Sequence, residues 1–265
     1  MTAYTLITGA TGGIGLAFAK VFAVRGHDLI LVARNEDRLK KIKRILTSTY
    51  GIRVQTISAD LAKEHAPKEL YHYVKSQGWR VDILINNVGF GDHNCFFDTD
   101  WQRQKNMLDI NITALTHLTY LFGGEMRKSR RGRILNVASL ASFCAGPYMS
   151  VYFASKSFVR SFSEAVSEEL RPYHVSVTAL CPGPVATGFE KNAGLQDSQM
   201  FKLLHVSDAA AVARAGYDGM MKGKALVYYG WQTKAANVLA RMFPRSITRK
   251  AAMFVNGKKE RGGRL

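Results

Sequence analysis

Tyr152 and Lys156 stand four residues apart in "VYFASKSF", a stretch otherwise made of small and apolar residues. On a helix this spacing puts both side chains on one face, one turn apart. A phenol ordinarily holds its proton up to a pH of about 10, and a neighbouring ammonium favours the phenolate. The pair therefore reads as an acid/base brought toward the operating pH. The competing reading is a buried tyrosine beside a lysine that reaches for water, and a chain of this composition yields on the order of one such spacing by chance. Two further residues bear on the choice. Ser139 lies thirteen residues before Tyr152, at the end of an apolar run, and Asn111 lies upstream in "NITA".

Residues of these types must be carried by regular elements. "YTLITGA", "DLILVARN", "RVQTISADL", "VDILINNVG", "GRILNVASL", "VSVTALCPG" and "ALVYYG" read as strands, with helical patterns between them. Continuous apolar strands alternating with helices predict a parallel sheet covered on both faces, an α/β, doubly wound arrangement of about seven strands. Hydrophobic residues at 47% and charged residues at 22% suit one ordinary globular core. The first strand hands over to the first helix through "TGATGGIG". Glycines there allow close backbone approach, and the helix N-terminus offers N–H groups to a pyrophosphate.

The spacing Gly9, Gly13, Gly15 with Tyr152 and Lys156 resembles the TGxxxGxG turn and YxxxK pair of the short-chain dehydrogenase/reductase family. The likeness covers residues 4 to about 231 and is greatest to the branch of DltE-like bacterial reductases, with hydroxysteroid and long-chain ketoacyl reductases further off. It implies a Rossmann fold and a catalytic set of Asn111, Ser139, Tyr152 and Lys156. Tyr152 would exchange a proton with a carbonyl or alcohol oxygen and Ser139 would hydrogen-bond that oxygen. Lys156 would also hold the nicotinamide ribose, and Asn111 a water of the proton relay.

The resemblance further implies cofactor contacts from Gly9, Thr11, Gly12, Gly13, Ile14 and Gly15 in the turn, from Asp60 and Leu61 after the third strand, and from Asn87 and Gly89 in "NNVG". Pro182, Gly183, Val185 and Thr187 of "CPGPVATGF" would face the nicotinamide, with Tyr152 and Lys156. The second strand ends in Ala33 and Arg34 with no acid at either position. A guanidinium there accommodates a ribose 2′-phosphate, which favours NADP(H) over NAD(H); alternatively Arg34 is a solvated residue at a helix start. Relatives that use NADP often carry a second basic residue where this chain has Gly12.

Phe143, Tyr148 and Phe189, with Cys144 and Met149, are the expected substrate neighbours, and residues 188–205 interrupt the rhythm as a lid. These are largely apolar with no cationic clamp among them, which suggests a hydrophobic ketone, aldehyde or secondary alcohol, a lipid-like one included. Residues 1–230 form the expected catalytic domain. Residues 231–265 form a basic tail, with nine Lys or Arg against one acid and two amphipathic helical segments separated by Pro244. The tail either lies on an anionic membrane surface or packs on the body or a second subunit.

The net charge of +17 invites a nucleic-acid reading, but no aromatic-basic interleaving or nucleic-acid module accompanies it. Three cysteines without metal-ligand spacing fit free thiols in a reducing cytosol, and no basic leader or long apolar run is seen. The expectation is a cytoplasmic homo-oligomer, dimer or tetramer, peripheral to a membrane if the tail binds one, with no metal. A non-catalytic NADP sensor is the other class considered.

Overall fold

The computed structural model describes residues 3–195 and 203–257. Seven parallel strands form one sheet: β1 (Ala3–Thr8), β2 (Asp28–Ala33), β3 (Val54–Ser58), β4 (Arg80–Asn86), β5 (Gly132–Val137), β6 (Val175–Pro182) and β7 (Leu226–Tyr229). Their spatial order is β3-β2-β1-β4-β5-β6-β7, so the order reverses between β1 and β4. A crevice opens outside the carboxyl ends of the strands at such a reversal, where α/β sheets bind ligands.

Apolar strand residues face both ways because both faces are covered. Leu29 and Leu31 enter one core with α1 (Gly13–Ala23), α2 (Glu36–Tyr50) and a later helix, Ala209–Met221. Ile30 and Val32 enter the other with α3 (Ala66–Ser76), Leu115–Ser129 and Ser150–Leu170. In chain order the remaining helices are α4 (Trp101–Leu108), α5 (Leu115–Ser129), α6 (Ser150–Leu170), α7 (Phe189–Asn192), α8 (Ala209–Met221), α9 (Trp231–Met242) and α10 (Arg245–Asn256). The last two are the expected tail helices, broken at Pro244, whose ring cannot continue a helix.

The expected lid is only partly described, since 196–202 lie outside the described residues. Its base is tied: Ala186 N donates to Ser207 O (3.0 Å) and Ser207 N to Pro184 O (2.8 Å). Residues 258–265 of the tail also lie outside the described residues.

Beneath the crevice a buried polar chain links β4, β5, α5 and α6. Asn86 Nδ2 donates to Thr119 Oγ1 (3.1 Å) and Asn136 Oδ1 (2.9 Å), and Asn136 Nδ2 donates to Ser163 Oγ (2.9 Å). All four residues are buried, so a missing member strands its neighbours without water. Asn136→Ala should lower the free energy of unfolding by about 3 kcal/mol in urea titrations, because it orphans groups on both sides. A loss no larger than that of an ordinary surface substitution would show that the chain does not bear on stability.

Candidate active site

Thr8 ends β1 and organises the crevice. Its Oγ1 accepts from the N–H groups of Asn87 (3.0 Å) and Val88 (3.1 Å) and donates to Ile85 O (3.3 Å). Asn87 answers from β4, its Nδ2 donating to the carbonyls of Thr8 (3.0 Å) and Gly9 (3.3 Å). The turn is thereby fastened across the sheet. A Cβ on Gly15 would stand 2.2 Å from Gly9 O and 2.5 Å from Asn87 Nδ2, so only glycine lets α1 start this close. That helix begins at an extended Gly12 with no side-chain cap and no acid in its first turn. Its N–H groups and positive dipole end are left for an anion.

One cavity of about 920 Å³ runs from this turn across the sheet ends. Gly9, Thr11, Gly12, Gly13 and Ile14 line it at one end, with Asn87 and Gly89 beside them. Ser139, Tyr152, Lys156, Pro182, Gly183, Val185 and Thr187 follow, then Phe143, Cys144, Met149 and Phe189. The expected site residues are thus mostly brought together. Six are not in the wall. Gly15 lies behind the turn, where its lack of a side chain is what matters. Leu61 is buried in the second core, and Asp60 Oδ1 accepts from Ala62 N (3.2 Å). Arg34 is exposed at the end of β2, where its carbonyl accepts from Ser58 Oγ.

Tyr148, an expected substrate neighbour, also stands outside the wall. Its backbone adopts a φ of 65° and its ring lies 6.2 Å from that of His93, while its carbonyl accepts from Asn94 N. It braces the neighbouring loop. Asn111 is the sixth. It sits in a π-helical turn, Asp109–Ala114, between α4 and α5, a local widening that is frequent at functional sites. Its side chain accepts from Phe90 N (3.1 Å) and donates to Phe90 O (2.9 Å) and Ser155 Oγ (3.0 Å).

The helix α6 carries Tyr152 and Lys156 on one face as the spacing predicts. Lys156 is buried and its Nζ donates to Val137 O at the end of β5 (2.9 Å). It stands 5.8 Å from the centre of the Tyr152 ring. A Cβ on Gly89 would come within 3.3 Å of that Nζ and 2.9 Å of Asn111 Oδ1, so the bare backbone makes room for both. Phe189 packs its ring 5.3 Å from that of Tyr152.

Electrostatics depart from the simple expectation of a lowered phenol. Burial pushes Tyr152 up to about 12, opposed by the side chain of Ser139, and burial holds Lys156 down to about 8. Desolvation of the buried phenolate is the dominant cause, and the Lys156 ammonium is held on the Val137 carbonyl rather than on the phenol. Ser139 Oγ accepts from Ala141 N (3.1 Å), which leaves its own hydrogen to donate into the cavity. Cys181, buried beneath, is held protonated at up to about 12, so it is no thiolate nucleophile.

Two contributions to the wall were not anticipated. Arg38 lines the cavity, and a Cβ on Gly12 would stand 3.8 Å from its guanidinium. It lies in the first turn of α2, whose side chains lean back toward the N-terminus and so toward the glycine turn; the sequence cue was a second basic residue four positions after Arg34. The tail helices are the other. Gln232, Ala236, Leu239, Phe243, Ala251 and Val255 close the apolar end of the cavity. His93 Nε2 meets Asn256 O at 2.6 Å and Asn256 Nδ2 donates to Pro147 O (3.0 Å), which latches α10 to the loops beside the site. The boundary at 230 therefore falls between elements that share one site.

Residues 3–198 match the family model described as short chain dehydrogenase. The chain belongs to the short-chain dehydrogenase family. This short-chain dehydrogenase is 34% identical over 198 residues to mouse 17-beta-hydroxysteroid dehydrogenase type 3, which covers 72% of the chain and 63% of that protein. It is 35% identical over 195 residues to a very-long-chain 3-oxoacyl-CoA reductase of Pyrenophora tritici-repentis, covering 71% and 56%. The matched stretch is thus less than two thirds of either relative. Among solved structures, a short-chain dehydrogenase from Sphingobium yanoikuyae in complex with NADPH aligns with a TM-score of 0.81 at 28% identity, over 93% of this chain and 98% of that one.

The buried cation makes stability depend on pH. The Lys156 ammonium loses its proton near pH 8 when folded and at the ordinary 10.5 when unfolded. Between those values the unfolded chain holds the extra proton, so folding is favoured more as pH rises. The unfolding free energy of the wild type should therefore climb from pH 8 to 10 relative to Lys156→Met. Taking this difference cancels the opposite drift from Cys181, whose folded form keeps a proton above the usual 9.0. Parallel curves for the two proteins would contradict a depressed lysine.

Proposed function

We propose that this short-chain dehydrogenase is an NADP(H)-dependent oxidoreductase that interconverts apolar ketones or aldehydes and secondary alcohols, with Tyr152 as general acid and base. The observation that carries the reading is the single cavity in which the glycine turn and Arg38 at one end meet Ser139, Tyr152 and Lys156, and then an apolar wall. The uncapped α1 N-terminus and the bare backbone at Gly89 fit a pyrophosphate and a ribose in that order.

When bound, the nicotinamide supplies or accepts hydride. The chain's residues hold and move the proton. Tyr152 Oη, kept protonated by burial, donates to the carbonyl oxygen in reduction and recovers the proton in oxidation. Ser139 Oγ–H donates to the same oxygen and stabilises charge that develops there. Lys156 offers its remaining N–H groups toward the ribose side, and Asn111 fixes the Phe90 backbone and Ser155 that adjoin them.

Preference for NADP(H) rests on two guanidinium groups, Arg34 at the end of β2 and Arg38 by Gly12. Both can give charge-assisted hydrogen bonds to a 2′-phosphate, and no acid at the end of β2 repels it. The solved relative with NADPH is in keeping with this. The motifs resemble those of DltE-like bacterial reductases, and the hydroxysteroid and very-long-chain relatives extend the reading to large apolar substrates. Among the described residues no cation lies among those that close the substrate end, which suits a substrate without a free carboxylate or phosphate there.

Turnover of a panel of ketones and aldehydes with NADPH tests the chemistry. Tyr152→Phe should lose roughly 10³-fold in kcat, the scale of a missing general acid, and keep its affinity for NADPH. Wild-type protein that binds NADPH and turns over none of the panel would instead favour the cofactor-sensing reading.

The cofactor preference is separable. Arg34→Ala with Arg38→Ala should weaken NADPH binding by about 2–3 kcal/mol, the scale of hydrogen bonds to a charged group, and leave NADH binding unchanged in fluorescence titrations. Equal losses for both cofactors would remove these residues from phosphate recognition.

A further inference from the structure

Four side chains of the C-terminal hairpin belong both to the cavity wall and to the outer surface. Trp231, Leu239, Phe243 and Ile247 line the cavity and are 72%, 48%, 45% and 51% exposed, so they form the rim of its mouth. Beyond the rim, Val238, Met242 and Phe254 are exposed without lining it. Trp231, Val238 and Met242 fall at i, i+7 and i+11 of α9, one continuous stripe; Ile247 and Phe254 fall at i and i+7 of α10. Apolar surface gathered at the mouth of an apolar cavity marks a place of contact, unlike singly scattered residues.

Charge decides what covers it. Lys234 and Arg241 run beside the stripe of α9, and Lys250 stands one turn from both Ile247 and Phe254. Residues 231–257 hold five Lys or Arg and no acid. A second copy seated on the same face about a twofold axis would bring cation against cation. An anionic bilayer meets both features: apolar side chains enter the acyl boundary, and Lys and Arg reach the headgroups around them. Among the described residues no helix is long and apolar enough to cross a membrane, so the contact is with its surface.

We propose that the α9–α10 hairpin binds an anionic membrane surface and seats the mouth of the cavity on it, so that an apolar molecule dissolved in the leaflet enters toward Tyr152 without crossing water. The passage of a carbonyl substrate rests on the ketoreductase reading; the surface contact does not.

Sedimentation of the full chain with vesicles tests the contact without turnover. The protein should pellet with equal parts phosphatidylglycerol and phosphatidylcholine, about tenfold more weakly with phosphatidylcholine alone, and less as salt is added. Val238→Ser, Met242→Ser and Phe254→Ser together should abolish pelleting and leave NADPH affinity and the unfolding midpoint unchanged. Trp231 emission should be quenched by lipids brominated on the acyl chain, and Trp231→Phe should remove that component. Equal pelleting of the wild type and the triple variant, or a wild type that stays in the supernatant, overturns the proposal. So does ultracentrifugation in which the triple variant changes only the oligomeric state, which would assign the face to a second copy. Protein that binds vesicles yet reduces no carbonyl would sink the ketoreductase reading alone.

Discussion

The fastening of the glycine turn to β4 is the constraint on which the rest of the site depends. The β1–β4 ladder ends at Ile7 and Ile85, and beyond it Thr8 and Asn87 take up each other's backbone groups reciprocally. One hydroxyl that accepts twice and donates once, against one amide that donates twice, holds two strand ends and the start of α1 in fixed relation. Gly15 is required for the same reason, since any side chain would occupy the space through which the Asn87 amide reaches the turn. The glycine-turn end of the cavity is thus built from strand ends, which are rigid, rather than from a free loop.

Lys156 extends that rigidity to the chemistry. A buried ammonium is costly unless it finds acceptors, and here the carbonyl of Val137 ends the strand next to β4. Its other N–H groups lie near a glycine and an asparagine that crowd no further atom onto it. The lysine stands 5.8 Å from the centre of the Tyr152 ring, and desolvation dominates the phenol. A phenol held protonated is an acid in waiting, suited to giving a proton to a carbonyl oxygen; taking one from an alcohol requires a ligand that alters the same balance.

The sheet and the placing of Tyr152 beside Lys156 were legible because their signals are local. Seven apolar runs became seven parallel strands, and four-residue spacing put Tyr152 and Lys156 on one helical face. What the sequence did not show depended on tertiary placement. Tyr148 sits among expected substrate neighbours in the chain, but a left-handed backbone at that residue puts its ring against His93. Arg38 was passed over because it lies within the first turn of α2 rather than at the end of β2, and the backward lean of helical side chains brings it to Gly12. The direction of the Tyr152 shift was misjudged because charge spacing is visible in a sequence and burial is not.

The tail shows the same limit from another side. Its two amphipathic segments were readable, yet the sequence left open whether their apolar residues pack inward or outward, and the structure divides them between both directions. Ala236, Ala251 and Val255 complete the apolar wall, and Asn256 latches the end of α10 through His93 and Pro147. Val238, Met242 and Phe254 on the outer side are left uncovered. A helix pair that only capped a cavity would need one apolar stripe, and water would select polar residues for the rest. A helix pair that only bound a surface would not need to be latched to the loops that carry His93 and Pro147. Both features on one hairpin mean that the wall of the site and the outer apolar face are a single element, so whatever the outer face touches is coupled by rigid helices to the space beside Tyr152.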